Sequence, residues 1–452
     1  MSIKTKIKKI PFLSEIHNIL YSLKVKRIEN QIIRKLKIFE SLSESKAKES
    51  QNLILTNFLK YSYENTNYYK KLFDDNNINI EEEEDFEKIP FLSKEIINKN
   101  LPSLLSEKFS IGELLKRSTG GSTGKPLMFY SNSKAGIADS GHHRYLYSIM
   151  GYDKGDLIIG CGGIQIDDSL KAKNIYWIKN KGNVFGDYMF SVLYLSEKNI
   201  STYVNKILQL KPNIMRGYPS FYDRLATYIN DNSIKIDFNI KGINLTAEMC
   251  SITQRRNIER AFSTMIYFEY GHKEISLYFY TQDNNYEYIS SPIYGYVEVL
   301  DDQGKKTKIG EIGNIVTTGF NNFGMPFIRY KTGDLGKLSY RNGGIIHLEE
   351  IHGRTQDFLV DKNKNKIYII STIYGNKLNA FNNFYRWQIF QEITGKAEIR
   401  IIKKPSFTLN DENEILDFFS FFKGIDFFIK YVDSIKKSKI GKYNLLVQKI
   451  QL

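Results

Sequence analysis

The sequence predicts a mixed α/β fold, and three observations carry that reading. From about residue 156 to residue 271, short apolar runs alternate with amphipathic stretches, the pattern of parallel strands joined by helices. Residues 1 to about 85 read as helical, and from about residue 293 the pattern turns all-β.

In chain order, "NQIIRKLKIFESL" and "SQNLILTNFLKYSYENTNYYKKLF" place apolar residues three and four apart, one face of a helix. The acidic run "EEEED" at 81–85 reads as a surface break, and "FEKIPFLSKEIINKN" as a turn leading into a helix. "PLMFYSN", "DLIIGCGG", "KPNIMRGYPS", "GINLTAEMC" and "MIYFEYG" read as strands, with helices predicted at "PSFYDRLATYIND" and "SITQRRNIERAF". "YGYVEVLDDQGKK", "GEIGNIVTTGF" and "GKLSYRNGGIIHLEE" supply the β-rich stretch of about 293–350. A final segment from about 353 mixes short strands and helices.

At 452 residues the chain is long enough for a sizeable core and more than one domain. Hydrophobic content of 42% and charged content of 25% are those of an ordinary globular protein, and no apolar run is long enough to span a membrane. The net charge of +14 invites a nucleic-acid reading, but residues 1–50 supply half of it, with twelve Lys+Arg against five Asp+Glu. The rest is spread thinly and no nucleic-acid-binding signature accompanies it, so no such partner is expected. The basic segment through Phe39 reads as a helix packed on the body, with an anionic membrane surface as its alternative partner. Cys161 and Cys250 make no metal spacing and predict reduced thiols in the cytoplasm, and the start has no apolar stretch of signal-peptide length.

Five stretches carry candidate chemistry. "STGGSTGK", residues 118–125, packs three glycines, four hydroxyls and a lysine into eight residues, a composition suited to a phosphate. It is not a kinase-style loop, because Thr119 stands at the first glycine position and Pro126 at the metal-binding hydroxyl. A dinucleotide fingerprint also fails, since "GCGGIQ" ends in Gln165. A plain hairpin turn is the alternative. In "FIRYKTGDLG", a turn presents Asp334, whose two oxygens can accept from paired ribose-type hydroxyls. In "FEYGHKEISL", Tyr270 can stack on a base and Glu274 can hold a hydrated Mg²⁺. "IHGRTQDFLV" sets Arg354 and Asp357 where the all-β pattern gives way, and "SKIGKYNLLVQ" offers Lys442 after a glycine.

Together and in this order, the five resemble the adenylate-forming superfamily of acyl- and aryl-CoA synthetases and adenylation domains. The likeness is nearest to the phenylacetate–CoA ligase branch and its relatives in capsular polysaccharide clusters. It runs through nearly the whole chain, including "NTNYYKKLF", "RGYPSFYDRLATYI" and "GKYNLLVQKI". The resemblance implies a large N-terminal domain, 1–353, of distorted sheets with helices and a β-subdomain. It also implies a small α+β lid, 354–452, hinged near Gln356–Asp357. Its chemistry would be attack of a carboxylate on the α-phosphate of MgATP, then displacement of AMP by a thiol or amine.

By the same resemblance, Ser118, Thr119, Gly120, Gly121, Ser122, Thr123, Gly124 and Lys125 would hold the β- and γ-phosphates, and Glu274 the Mg²⁺. Ala247, Glu248, Tyr270 and Gly271 would frame the adenine, Asp334 the ribose, and Arg354 ribose or phosphate. Lys442 would bridge the α-phosphate and the attacking carboxylate, neutralising charge as two anions meet. Tyr218, Pro219, Ser220, Phe221 and Phe268 are candidates for the acid pocket, with core packing as the alternative for the aromatic rings. His142 and His143 read as structural or pocket-wall residues.

Two departures stand out. The segment "SLYFYTQDNNYEYIS" lacks the Cys/His cluster with which relatives can bind zinc, so no zinc is expected. The glycine after the hinge is also missing, and "FLVDKNKNKIYI" offers Asn363 and Asn365 as turn formers; this leaves an amine, such as an amino sugar, beside coenzyme A as acceptor. A non-catalytic nucleotide-binding scaffold is the alternative of another class.

Overall fold

Apolar spacing builds the front of the chain as three helices, α1 (Pro11–Glu40), α2 (Glu44–Asn65) and α3 (Asn67–Asp75). A fourth, α4 (Lys94–Leu104), starts where the Ser93 hydroxyl accepts from the Ile96 amide at 3.3 Å. The computed structural model describes residues 11–118, 127–354, 358–367, 378–436 and 443–450. The strands β1 (Leu115–Ser118) and β2 (Met128–Ser131) pair antiparallel, Ser118 opposite Met128, and the chain then enters α5 (Ser133–Ile149).

The alternating region forms a parallel centre of five strands among the described residues. These are β3 (Ile158–Gly162), β5 (Tyr188–Ser191), β6 (Ile214–Gly217), β7 (Gly242–Thr246) and β8 (Ile266–Gly271). The edge strand β4 (Trp177–Lys179) runs antiparallel to β5. One face of this centre carries Ile159, Met215, Ile243, Leu245 and Phe268, packed with residues of α6 (Ile200–Leu210), α7 (Pro219–Asp231) and α8 (Ile252–Phe262). The other face carries Ile158, Ile214, Tyr267 and Tyr278 and packs on Tyr145 and Leu146 of α5 and Leu36 of α1. The basic first helix is therefore docked on the body over its last turns, as Ile32, Ile33 and Phe39 join the same cluster.

The all-β stretch does not make a sheet of its own. The strands β9 (Tyr278–Tyr280), β10 (Tyr288–Ser290), β11 (Gly295–Leu300), β12 (Ile312–Gly319), β13 (Tyr330–Asn342) and β14 (Ile345–Arg354) extend the parallel centre as an antiparallel wing. The resulting order is β11-β12-β13-β14-β10-β9-β8-β7-β6-β3-β5-β4.

After Arg354 the described chain resumes with a short hairpin, β15 (Leu359–Val360) and β16 (Lys366–Ile367). Asp361 organises its turn: the carboxylate accepts from the amides of Asn363 and Asn365, both at 2.8 Å. Lys364 takes the left-handed conformation there, with φ of 65°. Asn365 contributes as expected from sequence, through its side-chain bond to Asp361 at 3.0 Å. The small C-terminal domain is a four-stranded sheet of β17 (Phe384–Ile393), β18 (Lys396–Lys403), β19 (Asp426–Tyr431) and β20 (Leu446–Gln448), in the order β19-β18-β17-β20. The helix α9 (Leu409–Phe419) covers it, burying Ile415 and Phe419 against Ile389, Ile399 and Ile401. No helix among the described residues is long and apolar enough to cross a membrane.

The segment between α3 and α4 is tied to the wing through a buried ion pair. Arg329 makes two parallel bonds to Glu298, Nε to Oε2 at 3.0 Å and Nη2 to Oε1 at 2.8 Å, and both side chains are 4% exposed. Its remaining nitrogen donates to the carbonyls of Glu87 and Ile89. Removing one partner strands a buried charge, so Glu298→Ala should cost about 3–5 kcal/mol. An unfolding midpoint in urea equal to that of the parent chain would refute this.

Candidate active site

Two of the predicted motifs meet where β8 ends and β13 begins. Tyr270 and Asp334 lie 64 residues apart, yet the Tyr270 hydroxyl donates to Asp334 Oδ2 at 2.6 Å. Burial and that carboxylate hold the Tyr270 phenol protonated well above its ordinary range, as a donor must be. The turn bearing Asp334 is set by Thr332, whose hydroxyl accepts from the Asp334 amide at 3.0 Å and donates to Ile315 at 2.8 Å. Gly333 between them has φ of 81°, a conformation that favours glycine.

Glu274 follows in the same motif, buried. It accepts from the Tyr330 hydroxyl at 3.0 Å and lies 3.2 Å from His272 Nδ1. Burial alone would raise its pKa, but the His272 and Tyr330 contacts outweigh it and bring the carboxyl down to about 2. Two further motifs reach this corner. Lys273 Nζ comes within 3.5 Å of the Ser118 carbonyl, at the base of the hydroxyl-rich loop, and Arg354 is the register partner of Asp334 across β13 and β14. Thr119, Gly120, Gly121, Ser122, Thr123, Gly124, Lys125, Gln356, Asp357 and Lys442 lie outside the described residues.

The carboxyl end of the parallel centre bounds the other side, the usual place for ligands in such sheets. Gly217 ends β6 with φ of 150°, and a Cβ there would stand 2.1 Å from Cys161 Sγ. The chain can then turn into α7, with Tyr218 half-buried and Pro219 in the first turn. The Ser220 amide donates to Glu248 at 3.1 Å, and Ala247 turns the chain beyond β7 with φ of 68°. Phe221 and Phe268 belong to the apolar core beneath this surface.

Beneath it sits a charged cluster that sequence reasoning missed. Glu269, on the opposite face of β8 from Phe268 and Tyr270, is 6% exposed. Its Oε2 takes His143 Nδ1 at 2.9 Å, Asn244 Nδ2 at 2.7 Å and the Tyr278 hydroxyl at 3.2 Å, and its Oε1 pairs with Arg216. Asp139 lies 3.7 Å from the other His143 nitrogen and accepts from the Tyr294 hydroxyl at 2.7 Å. Burial opposes charge on Glu269, yet Arg216 and His143 hold its carboxyl far below the usual range. Burial likewise opposes charge on His143, but Glu269 and Asp139 push it up to about 9. Its neighbour His142 is neutral: burial depresses it to about 3, and Ser291 Oγ satisfies Nδ1 at 3.0 Å. The available signal was the position of Glu269, a carboxylate inside a strand apolar on both sides, which demands buried partners.

No family model matches the chain. In sequence it is similar to Protein CapK of Staphylococcus aureus, with 25% identity over 423 residues, 89% of each chain. It is also similar to the phenylacetate-coenzyme A ligase of Thermus thermophilus, with 24% identity over 353 residues, 72% of this chain and 74% of that one. In structure it matches 2-hydroxyisobutyryl-CoA ligase in its postadenylation state with TM-score 0.69 and 16% identity, covering 90% of this chain and 91% of that one. The same ligase in its thioesterification state matches with TM-score 0.57. The fold is that of adenylate-forming enzymes, with the large multi-stranded sheet and the small C-terminal domain.

The His143 pair links stability to pH. Its folded value lies above the ordinary 6.5, so its contribution is complete below about pH 6.5 and is lost as pH rises through about 9. His143→Gln should lose that alkaline decline. Parallel stability curves for the two proteins across this window, followed by urea denaturation, would contradict the pairing.

Proposed function

We propose that the chain, CapK-like in sequence and adenylate-forming in fold, is an ATP-dependent ligase that activates a carboxylic acid and passes the acyl group to coenzyme A. One observation carries this reading. Stretches scattered from Ser118 to Arg354 converge on one corner, through the Tyr270–Asp334, Tyr330–Glu274 and Lys273–Ser118 contacts and the Asp334–Arg354 register pair. The names of two similar proteins, a phenylacetate-coenzyme A ligase and a 2-hydroxyisobutyryl-CoA ligase crystallised with an acyl-AMP, support acid activation and a thiol acceptor.

In the first step a carboxylate oxygen attacks the α-phosphorus of ATP, the bond to the β-phosphate breaks, and pyrophosphate leaves. In the second, the thiol sulfur attacks the acyl carbon, the carbon–oxygen bond to AMP breaks, and AMP and a proton depart. Asp334 would take the ribose hydroxyls, Tyr270, Gly271, Ala247 and Glu248 would frame the base, and residues 118–125 with Arg354 would meet the phosphates. Glu274 suits Mg²⁺: it is buried and held ionised, and one carboxylate with phosphate oxygens and water is a usual set for that ion. Among the described residues no three or more His, Cys, Asp or Glu side chains form a metal group. The ion would supply neutralisation of phosphate charge. Lys442 would draw the two anions together, and Tyr218, Pro219 and Ser220 would border the acid.

An amine acceptor is the second reading; it rests on the resemblance, whose members carry a glycine after the hinge where this chain has "FLVDKNKNKIYI", with Asn363 and Asn365 in the turn. A role in surface polysaccharide biosynthesis, taken from the family resemblance, and a cytoplasmic location, taken from the two free cysteines, are further parts of this proposal.

ATP–pyrophosphate exchange across aryl, fatty, hydroxy and amino acids tests the reading; exchange with none of them would favour a nucleotide-binding scaffold. Competition between coenzyme A and amino sugars identifies the acceptor. Lys442→Ala should cut exchange by about 10²–10³ while sparing transfer from supplied acyl-adenylate, and equal losses in both steps would remove it from adenylation. Asp334→Ala should weaken ATP binding by about 1.5–3 kcal/mol in calorimetry, and unchanged affinity would exclude Asp334 from the site.

A further inference from the structure

We propose that the Glu248 carboxylate is a latch that holds the C-terminal domain against the large domain, making Glu248 a positioning residue for the adenylation step. The inference rests on the ligase reading for its kinetic consequence, but its geometry stands apart from it. The two oxygens of Glu248 serve two different domains. Oε2 accepts from the Ser220 amide in the first turn of α7 at 3.1 Å, and Oε1 accepts from the Tyr443 amide at 2.7 Å, a contact between residues 195 apart in sequence.

The amide held is informative. Tyr443 follows Lys442 directly, so its N–H belongs to the peptide group that begins with the Lys442 carbonyl. An anionic acceptor makes both bonds charge-assisted, and the N-terminal end of a 13-residue helix favours negative charge there. The surroundings match. Met249, next to Glu248, packs into the apolar cluster of the C-terminal domain together with Tyr443 and Trp387. Arg386, on β17, feels the charges of Glu248 and Glu197, with Arg224 as the opposing cation. The left-handed turn at Ala247 sends Glu248 and Met249 out of β7 toward this junction.

A latch made of one carboxylate and one backbone amide can release as a unit. Losing it costs the orientation of the C-terminal domain at Tyr443 and leaves the two domain cores intact. On the ligase reading, the loss weighs most on the half-reaction that uses this orientation.

The test uses the full chain with Glu248→Ala and Glu248→Gln, followed by hydrogen exchange at the Tyr443 amide and by both half-reactions. Exchange at Tyr443 should quicken about ten- to hundredfold in Glu248→Ala and less in Glu248→Gln, which keeps one acceptor oxygen. With ATP and acyl-adenylate each saturating, so that weaker adenine binding is masked, ATP–pyrophosphate exchange should fall about tenfold and by more than transfer from the supplied acyl-adenylate. Unchanged protection at Tyr443 in both variants overturns the latch. So does faster exchange throughout the large domain with equal loss of both half-reactions, which marks a folding defect. A higher KM for ATP with Tyr443 still protected assigns Glu248 to nucleotide binding alone. If the parent chain shows no pyrophosphate exchange with any acid, the ligase reading fails, and protection at Tyr443 still decides the latch.

Discussion

An ionised carboxylate inside a sheet must be matched by charge and hydrogen bonds on every side, and the match at Glu269 organises what surrounds it. Arg216 comes from β6, Asn244 from β7, His143 from α5 and Tyr278 from β9. Each partner belongs to a different element, so the carboxylate fixes their relative positions more narrowly than apolar contact would. Two consequences reach the candidate site. Helix α5 follows the β1–β2 hairpin, so anchoring His143 steadies the frame from which the hydroxyl-rich loop springs. Tyr270 is the next residue along β8, and alternation turns its ring to the opposite face, toward Asp334. One strand thus serves an internal charge cluster with one side and the candidate site with the other.

Much of this was legible in the residues. Apolar runs marked β3, β6, β7 and β8, and helical spacing marked the segments that cover them, because both signals are local and repeat within a few residues. The motif around Tyr270 and the turn at Asp334 were each readable as chemistry, but their contact was not, since a pair 64 residues apart leaves no local trace. The same limit hides how the β-rich stretch is attached. It joins the parallel centre through β9 and β10, three residues each, with two register pairs between β10 and β14. Arg329 gave no sign of its role: it bears φ of 47°, unusual for a non-glycine residue, and its bidentate partner Glu298 is a strand away. At the turn after Val360, asparagine preference pointed to Asn363 and Asn365. Both lie in the turn, and Asp361 closes it with them, because an anion accepts two amides at once.

The two domains meet through different physics from that which builds either. Inside each, sheets and helices bury continuous apolar clusters. Among the described residues, the junction holds the Glu248–Tyr443 hydrogen bond and the packing of Met249 on the smaller core. The proposed latch would hold an orientation there while leaving it exchangeable.

The first hundred residues are finished by residues far downstream. Gln51 donates to the carbonyls of Pro292 and Gly295 and accepts from the Gly344 amide, while Tyr69 donates to Pro326 and the Leu92 amide donates to Arg329. Phe58, Phe73 and Ile97 likewise find Phe320, Phe327 and Tyr330 in one cluster. On the ribosome, therefore, the opening helices emerge long before the strands that cover them. They must keep an apolar face exposed through the synthesis of more than two hundred further residues. The burden of solubility during translation falls on this stretch, and its dense charge, eighteen Lys+Arg and fifteen Asp+Glu over residues 1–100, keeps the opposite faces of these helices wet while the apolar faces await their partners.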